Sequence, residues 1–112
     1  MDILTGTHEI QVATVALTGR LDALEARGLR DLLDSHLASG HSRIVVDLRA
    51  LEFVDSAGLA ALVKGMKDCR TAGGDLRLVA PTERDAMRVF ELTRFDRVFT
   101  MNAELEDALS GW

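Results

Sequence analysis

The residue types with the most chemical potential lie together in Leu51-Glu52-Phe53-Val54-Asp55-Ser56-Ala57-Gly58-Leu59. An apolar run ends there, a carboxylate and a hydroxyl follow, and small residues open a segment that reads as a helix. Functional groups collect at the carboxyl ends of strands in α/β sheets. Ser56 falls at or just before a first helical turn, beside backbone N–H groups with no partner inside the helix. Those donors and the helix dipole favour negative charge. A phosphate on Ser56 suits such a position and adds about −1.5 to −2 charges at neutral pH. With Asp55 beside it the surface turns sharply more acidic, so a binding face is switched by charge without unfolding. The same residues also suit plain capping, because Asp and Ser are favoured at the start of any helix. Gly58 then serves close packing and Leu59 the core.

Other chemistries are poorly provided for. A nucleophilic serine needs a positioned base, and His8, His36 and His41 are all distant from Ser56 in sequence. Val54 stands where a G-x-S-x-G elbow has its first glycine. The histidines lack metal-ligand spacing and Cys69 is the only cysteine. No catalytic residue, metal or cofactor is therefore assigned, and the chain reads as a non-enzyme. Gly73-Gly74 lacks a Walker lysine and reads as a helix stop. Glu104 and Glu106 read as solvated surface. Arg84, Arg88, Arg94 and Arg97 alternate with Asp85, Glu91 and Asp96, a mixed solvated face more than a basic patch.

The elements that must position Ser56 follow from periodicity. Ile10 and Val12, then Val15-Ala16-Leu17, predict a hairpin from about His8 to Gly19 with its turn near Ala13–Thr14. Leu29, Leu32, Leu33 and Leu37 form the stripe of a helix over Leu24–Leu37, capped by Asp22 and stopped at Gly40. Ile44-Val45-Val46-Asp47-Leu48 predicts a buried strand within Arg43–Leu48, with Leu51, Phe53 and Val54 continuing apolar to Asp55. Leu59, Leu62, Val63, Met66 and Cys69 share a face of a helix over Ala57–Thr71. Leu76, Leu78 and Val79 predict the next strand. Pro81-Thr82 opens a third helix, with Thr82 and Asp85 at capping-box spacing. Phe95, Val98 and Phe99 predict a short edge strand, and Asn102 caps a last helix through Leu109. The order β-β-α-β-α-β-α-β-α describes an α/β fold with a mixed, mostly parallel sheet and helices packed against it.

Composition sets the outer limits. The 112 residues suit one domain, 1–112, and no Pro/Ser linker or repeat divides them. Apolar residues make up 47% and charged residues 28%, which excludes disorder as the main state. No apolar run approaches the ~20 residues of a membrane span, and no secretory signal opens the chain. A cytoplasmic location is expected. The net charge is −5 with 4% aromatics, a poor basis for nucleic-acid binding, which needs basic surface and stacking rings.

Taken together, the segments resemble the STAS domain family and, within it, the stand-alone bacterial anti-sigma factor antagonists. Three stretches carry the likeness: Gly19-Arg20-Leu21-Asp22; Val46-Asp47-Leu48 with Leu51 and Phe53-Val54-Asp55-Ser56-Ala57-Gly58-Leu59; and Gly73-Gly74 with Leu76-Arg77-Leu78-Val79 and Val89-Phe90-Glu91-Leu92-Thr93. They span roughly Ile10 to Leu109. The resemblance implies a partner-switching regulator. In that family the unmodified antagonist binds an anti-sigma factor that is also a serine kinase, and so frees a sigma factor. The kinase phosphorylates the serine and a serine phosphatase resets it. Carried to this chain, Ser56 is the phosphoacceptor, and Asp22, Asp55, Ser56, Ala57, Gly58 and Leu59 form the partner-binding surface. Ala57 stands where some relatives carry a second serine, leaving one hydroxyl in the loop. The fold also hosts unphosphorylated subunits of larger complexes, such as transporter accessories and stress-signalling scaffolds, in which Ser56 is a cap only.

Overall fold

The computed structural model describes residues 1–8 and 12–112. Its elements run β1 (Asp2–His8), β2 (Val12–Leu21), α1 (Ala23–Ala38), β3 (Arg43–Val54), α2 (Ser56–Thr71), β4 (Asp75–Val79), α3 (Arg84–Thr93), a 3₁₀ turn (Phe95–Arg97), β5 (Thr100–Asn102) and α4 (Leu105–Leu109). One five-stranded sheet holds the strands in sequence order. The β1–β2 pair is antiparallel and the other three pairs are parallel. The expected mixed, mostly parallel α/β sheet is the one observed.

Side-chain alternation decides which face is covered. Val15 and Leu17 of β2, Ile44, Val46 and Leu48 of β3, and Leu76 and Leu78 of β4 point to one side and are buried. Leu29 and Leu33 of α1, Leu62 and Met66 of α2 and Phe90 of α3 close over them in one core. Burying a side chain of this size contributes about 1.5–3 kcal/mol each, so this layer dominates stability. The opposite face has a smaller cluster, Val12, Val45 and Val79, covered by Ala108 of α4 and by Trp112. Arg77 lies between them, its guanidinium 3.7 Å from the Trp112 ring centroid. It donates to the carbonyls of Ala108, Ser110 and Gly111, which fixes the chain end over the sheet.

Four expectations are corrected. The first strand is Asp2–His8, and Ala13–Thr14 lie inside β2, so the hairpin starts earlier than expected and Ala13–Thr14 are not its turn. The predicted strand residue Ile10 lies outside the described residues. The outer strand was hard to read because a sheet edge needs little apolar pattern, and DILTGTH has little. The third helix starts at Arg84 behind Glu83, with no side-chain cap. Thr82 instead donates to the carbonyl of Arg49 at 2.8 Å, tying the loop to β3, so the capping box does not form. Phe95 opens a 3₁₀ turn and the strand follows at Thr100–Asn102. Phe95, Phe90 and Phe99 are in edge-to-face contact through Phe99; aromatic packing outweighs β-propensity there. Asn102 lies in β5 and α4 begins behind Glu104 without a side-chain cap.

Candidate functional site

Strands β2 and β3 deliver the site. They are parallel neighbours, and their last residues, Leu21 and Val54, are register partners. Two register shifts on the way give β3 two extra residues, from Ala16–Thr18 opposite Asp47–Ala50 and from Gly19–Arg20 opposite Leu51–Phe53. Gly19, at φ +90°, absorbs part of the twist that these bulges impose. Both strands therefore end at the same level, and each is followed by an aspartate and a helix. The starts of α1 and α2 sit side by side.

Asp22 is the cap of α1. Its Oδ1 accepts from the N–H groups of Leu24 at 3.1 Å and Glu25 at 3.2 Å. Asp55 is the cap of α2 and does more. Its Oδ1 accepts from the N–H of Gly58 at 2.9 Å. Its Oδ2 accepts from the N–H of Ala23 at 3.1 Å, the first residue of the neighbouring helix. One carboxylate thus holds two helix starts together, and the Asp55 N–H donates to the carbonyl of Leu21 at 3.2 Å. The two carboxylates thus meet backbone donors in the first turns of the two helices, where internal partners are lacking or few.

Ser56 is the first residue of α2 and is exposed. Its hydroxyl makes no hydrogen bond among the described residues. Capping is done by the aspartate before it. Ala57 is half-buried, while Gly58 and Leu59 are buried. A Cβ on Gly58 would stand 2.5 Å from the Leu21 carbonyl oxygen and 2.7 Å from the Leu21 Cγ. Gly58 therefore lets α2 lie on the end of β2, and Leu59, 5% exposed, joins the core. Of the six predicted partner-contact residues, Asp22, Asp55, Ser56 and Ala57 reach the surface, and Gly58 and Leu59 set the position of that surface from beneath.

Two features escaped the sequence pattern. Leu24, in the first turn of α1, is 89% exposed beside this pair of helix starts; as the start of an apolar helical run it gave no signal of exposure. A groove of about 530 Å³ also runs from Ser56 along α2, past Leu59, Ala60 and Val63 to the charged Lys64, Lys67 and Asp68, and is closed by Thr93 and Phe95. Phe95 comes from the 3₁₀ turn that the sequence pattern read as strand, so the far wall was not foreseen.

The remaining titratable groups lie elsewhere. The His36 ring accepts or donates a 2.8 Å bond with Thr5 of β1 near the other end of α1. Burial, then the charge of His41, hold it below its ordinary value of 6.5. Burial, with Asp75 and Asp68 adding to it, pushes the Cys69 thiol up to about 11, so it stays protonated and unreactive at neutral pH. No group of three His, Cys, Asp or Glu residues that could hold a metal occurs among the described residues. No helix among them is long and apolar enough to cross a membrane.

Comparison with known proteins bears on this arrangement. The STAS domain family model matches residues 4–108. The chain belongs to the STAS domain family. The anti-sigma-B factor antagonist of Bacillus subtilis is 28% identical over 106 residues, covering 95% of this chain and 93% of that protein. An anti-sigma factor antagonist from Mycobacterium paratuberculosis superposes with a TM-score of 0.86 at 28% identity, covering 97% of this chain and 91% of that one. The Bacillus cell-fate determinant SpoIIAA, solved in its phosphorylated form, shares the STAS fold at a TM-score of 0.75 and 18% identity, each chain covered to 96%.

Proposed function

We propose that this protein is a cytoplasmic, non-enzymatic anti-sigma factor antagonist. It binds an anti-sigma factor serine kinase through the surface around Asp22, Asp55, Ser56 and Ala57, and phosphorylation of Ser56 ends that binding until a serine phosphatase removes the group. The whole chain acts as one STAS domain. The observation that carries this reading is the division of labour at the start of α2. Asp55 does the capping, and the Ser56 hydroxyl is left exposed and uncommitted. A serine that served only as a cap would stand at the Asp55 position.

In this reading a phosphate on Ser56 acts through its charge. The Asp55 carboxylate is held by Ala23 and Gly58 N–H groups and cannot swing away from a new dianion. Phosphate and carboxylate repel, so the phosphate extends into solvent, where a partner docks. Like charge placed against a docked partner costs several kcal/mol when desolvated. The fold itself is spared, since the backbone donors at the helix start offset part of the added charge.

The test pairs the cognate anti-sigma kinase with wild type and with Ser56→Ala. Ser56→Ala is expected to fold, to bind as wild type does, and to resist release by kinase and ATP. Ser56→Asp is expected to bind more weakly, one carboxylate being a partial mimic of a phosphate. Cleavage after Arg49 and Lys64 isolates Ala50–Lys64, whose one hydroxyl side chain is Ser56. Phosphate on that peptide identifies the acceptor by mass. Release of Ser56→Ala by kinase and ATP at the wild-type rate would sink the switch.

A further inference from the structure

The two edges of the sheet are closed to different degrees. Strand β5 is three residues long, and a very short edge strand offers little to pair with. Strand β1 runs seven residues, Asp2–His8. It pairs with β2 in unbroken register, whereas the β2–β3 pair is shifted twice. Natural sheets blunt an edge with lysine, proline, a bulge or a cover. Strand β1 has no bulge, and Ile3-Leu4-Thr5-Gly6-Thr7 contains no charge and no proline. One row of its backbone N–H and C=O groups faces away from β2. Leu4 stands 77% exposed on this strand.

Gly6 has no explanation within one chain. It lies on the same sheet face as Leu4, two residues away. Its φ is not in the left-handed region. A Cβ there would meet only the Thr14 hydroxyl oxygen, at 3.8 Å, an ordinary contact. A β-branched residue would fit and would favour the strand. Glycine inside a strand often marks the close approach of another group. Beside it lies a hollow of about 300 Å³, floored by Gly6, Thr14 and Ala16 and walled by Leu4, Leu105 and Leu109. Asp47, at the inner end of the hollow, is held by Arg49 at 2.7 Å.

A second copy of the same strand matches this pattern. An antiparallel pair of β1 strands overlaps over its full length only when the two-fold axis passes Thr5. In that register Leu4 of each copy faces Gly6 of the other, and Ile3 faces Thr7. Each exposed leucine then enters the other copy's hollow, twice by symmetry. The two Asp2 carboxylates stand six residues apart along the pair, about 20 Å, so they do not oppose it. We infer that β1 is a dimerisation edge, joining the sheets of two copies into one, with Leu4 of each seated over Gly6 of the other. A strand pair with one leucine per copy makes a small interface, under about 1,200 Å², so a dissociation constant on the order of 100 μM is expected. Strand β1 is two strands away from β3, and the inference does not rest on the anti-sigma reading.

The test is sedimentation velocity of the full chain alone, from about 10 μM to about 1 mM. Wild type is expected to pass from monomer to dimer across that range. Leu4→Lys changes an exposed side chain and is expected to leave the melting temperature unchanged. Gly6→Val fills the hollow and is expected to keep or raise it. Both are expected to weaken dimerisation at least about tenfold. Register is read by cross-linking under mild oxidation. Thr5→Cys faces itself across the axis at the Cα separation of opposed residues, about 4.5–5.5 Å, which a disulfide spans. It is expected to give cross-linked dimer at least about tenfold faster than Asp2→Cys, which has no such mate. Wild type, with Cys69 buried, reports the background. A chain that stays monomeric at about 1 mM overturns the inference. So does a dimer that Leu4→Lys and Gly6→Val leave intact, an assembly that grows past two copies, or cross-linking of Asp2→Cys as fast as Thr5→Cys.

Discussion

Helix α1 enters behind Asp22 and helix α2 behind Asp55, from neighbouring strands that end at the same level. Asp22 serves its own helix only, accepting from Leu24 and Glu25. Asp55 serves both, accepting from Gly58 of its own helix and Ala23 of the other. The next residues diverge further. Helix α1 continues with Ala23 and a solvent-exposed Leu24. Helix α2 continues with Ser56, Ala57 and a glycine pressed onto Leu21. Both helix starts are held by these hydrogen bonds, and the second is in addition pressed onto the end of its neighbour's strand. On the proposed function, the acceptor Ser56 stands at the more tightly packed of the two starts.

The sharpest way to break that contrast is Gly58→Ala. Alanine favours a helix over glycine by about 1 kcal/mol. Against that, the new Cβ meets a backbone oxygen at 2.5 Å, which no side-chain rotation can relieve; overpacking of this kind costs about 3 kcal/mol. The net loss is about 2 kcal/mol, and a thermal melt is expected to shift down by roughly 10 °C. Gly65→Ala is the control on the same helix. Its Cβ would meet the far ends of the Leu33 and Leu76 side chains, at 2.7 and 3.1 Å, which can move. A melt for Gly58→Ala equal to wild type would show that α2 is not pinned to β2.

Next in size is the pair of caps. Asp22→Ala removes a cap from one helix, at a cost of about 1 kcal/mol. Asp55→Ala removes a cap and also the bond to Ala23, leaving donors of two helices unpaired, and is expected to cost about 2 kcal/mol. Urea unfolding of the two variants, compared at equal m-value, measures the difference. Equal losses would mean that the Oδ2–Ala23 bond contributes nothing. Asp55→Asn sharpens the result, since its single carbonyl oxygen can accept in one of the two directions only.

Much of this was legible in the sequence, for identifiable reasons. Asp22, Gly40 and Gly73 mark helix ends through backbone chemistry that does not depend on the rest of the fold, and each stands where expected, Gly40 and Gly73 at φ near +90°. The α1 and α2 stripes and the β3 run read correctly because they face one large core. The errors gather at the periphery. Strand β1 is a sheet edge with one open side, and the segment after α3 is shaped by contacts among Phe90, Phe95 and Phe99 from separate elements. At the site, the acceptor and its cap were visible as adjacent residues. The reach of Asp55 to Ala23 was not, because it spans 32 residues and exists only once the strands pair.

The smallest expected effect on folding falls on Leu24, and it completes the comparison. At 89% exposure it buries almost nothing, so Leu24→Ser is expected to change stability by no more than about 0.5 kcal/mol. A large apolar side chain held in open water in the first turn of the helix beside α2 is nonetheless the kind of group that becomes buried when a partner docks. If the docking surface extends across both helix starts, Leu24→Ser weakens anti-sigma binding about tenfold with no change in melting temperature. If affinity is unchanged, α1 ends its contribution at the Ala23 N–H, and the partner reads α2 alone. Titration calorimetry on Leu24→Ser and Ala60→Glu, singly and together, then apportions the surface, since independent contacts give additive losses and a shared one does not.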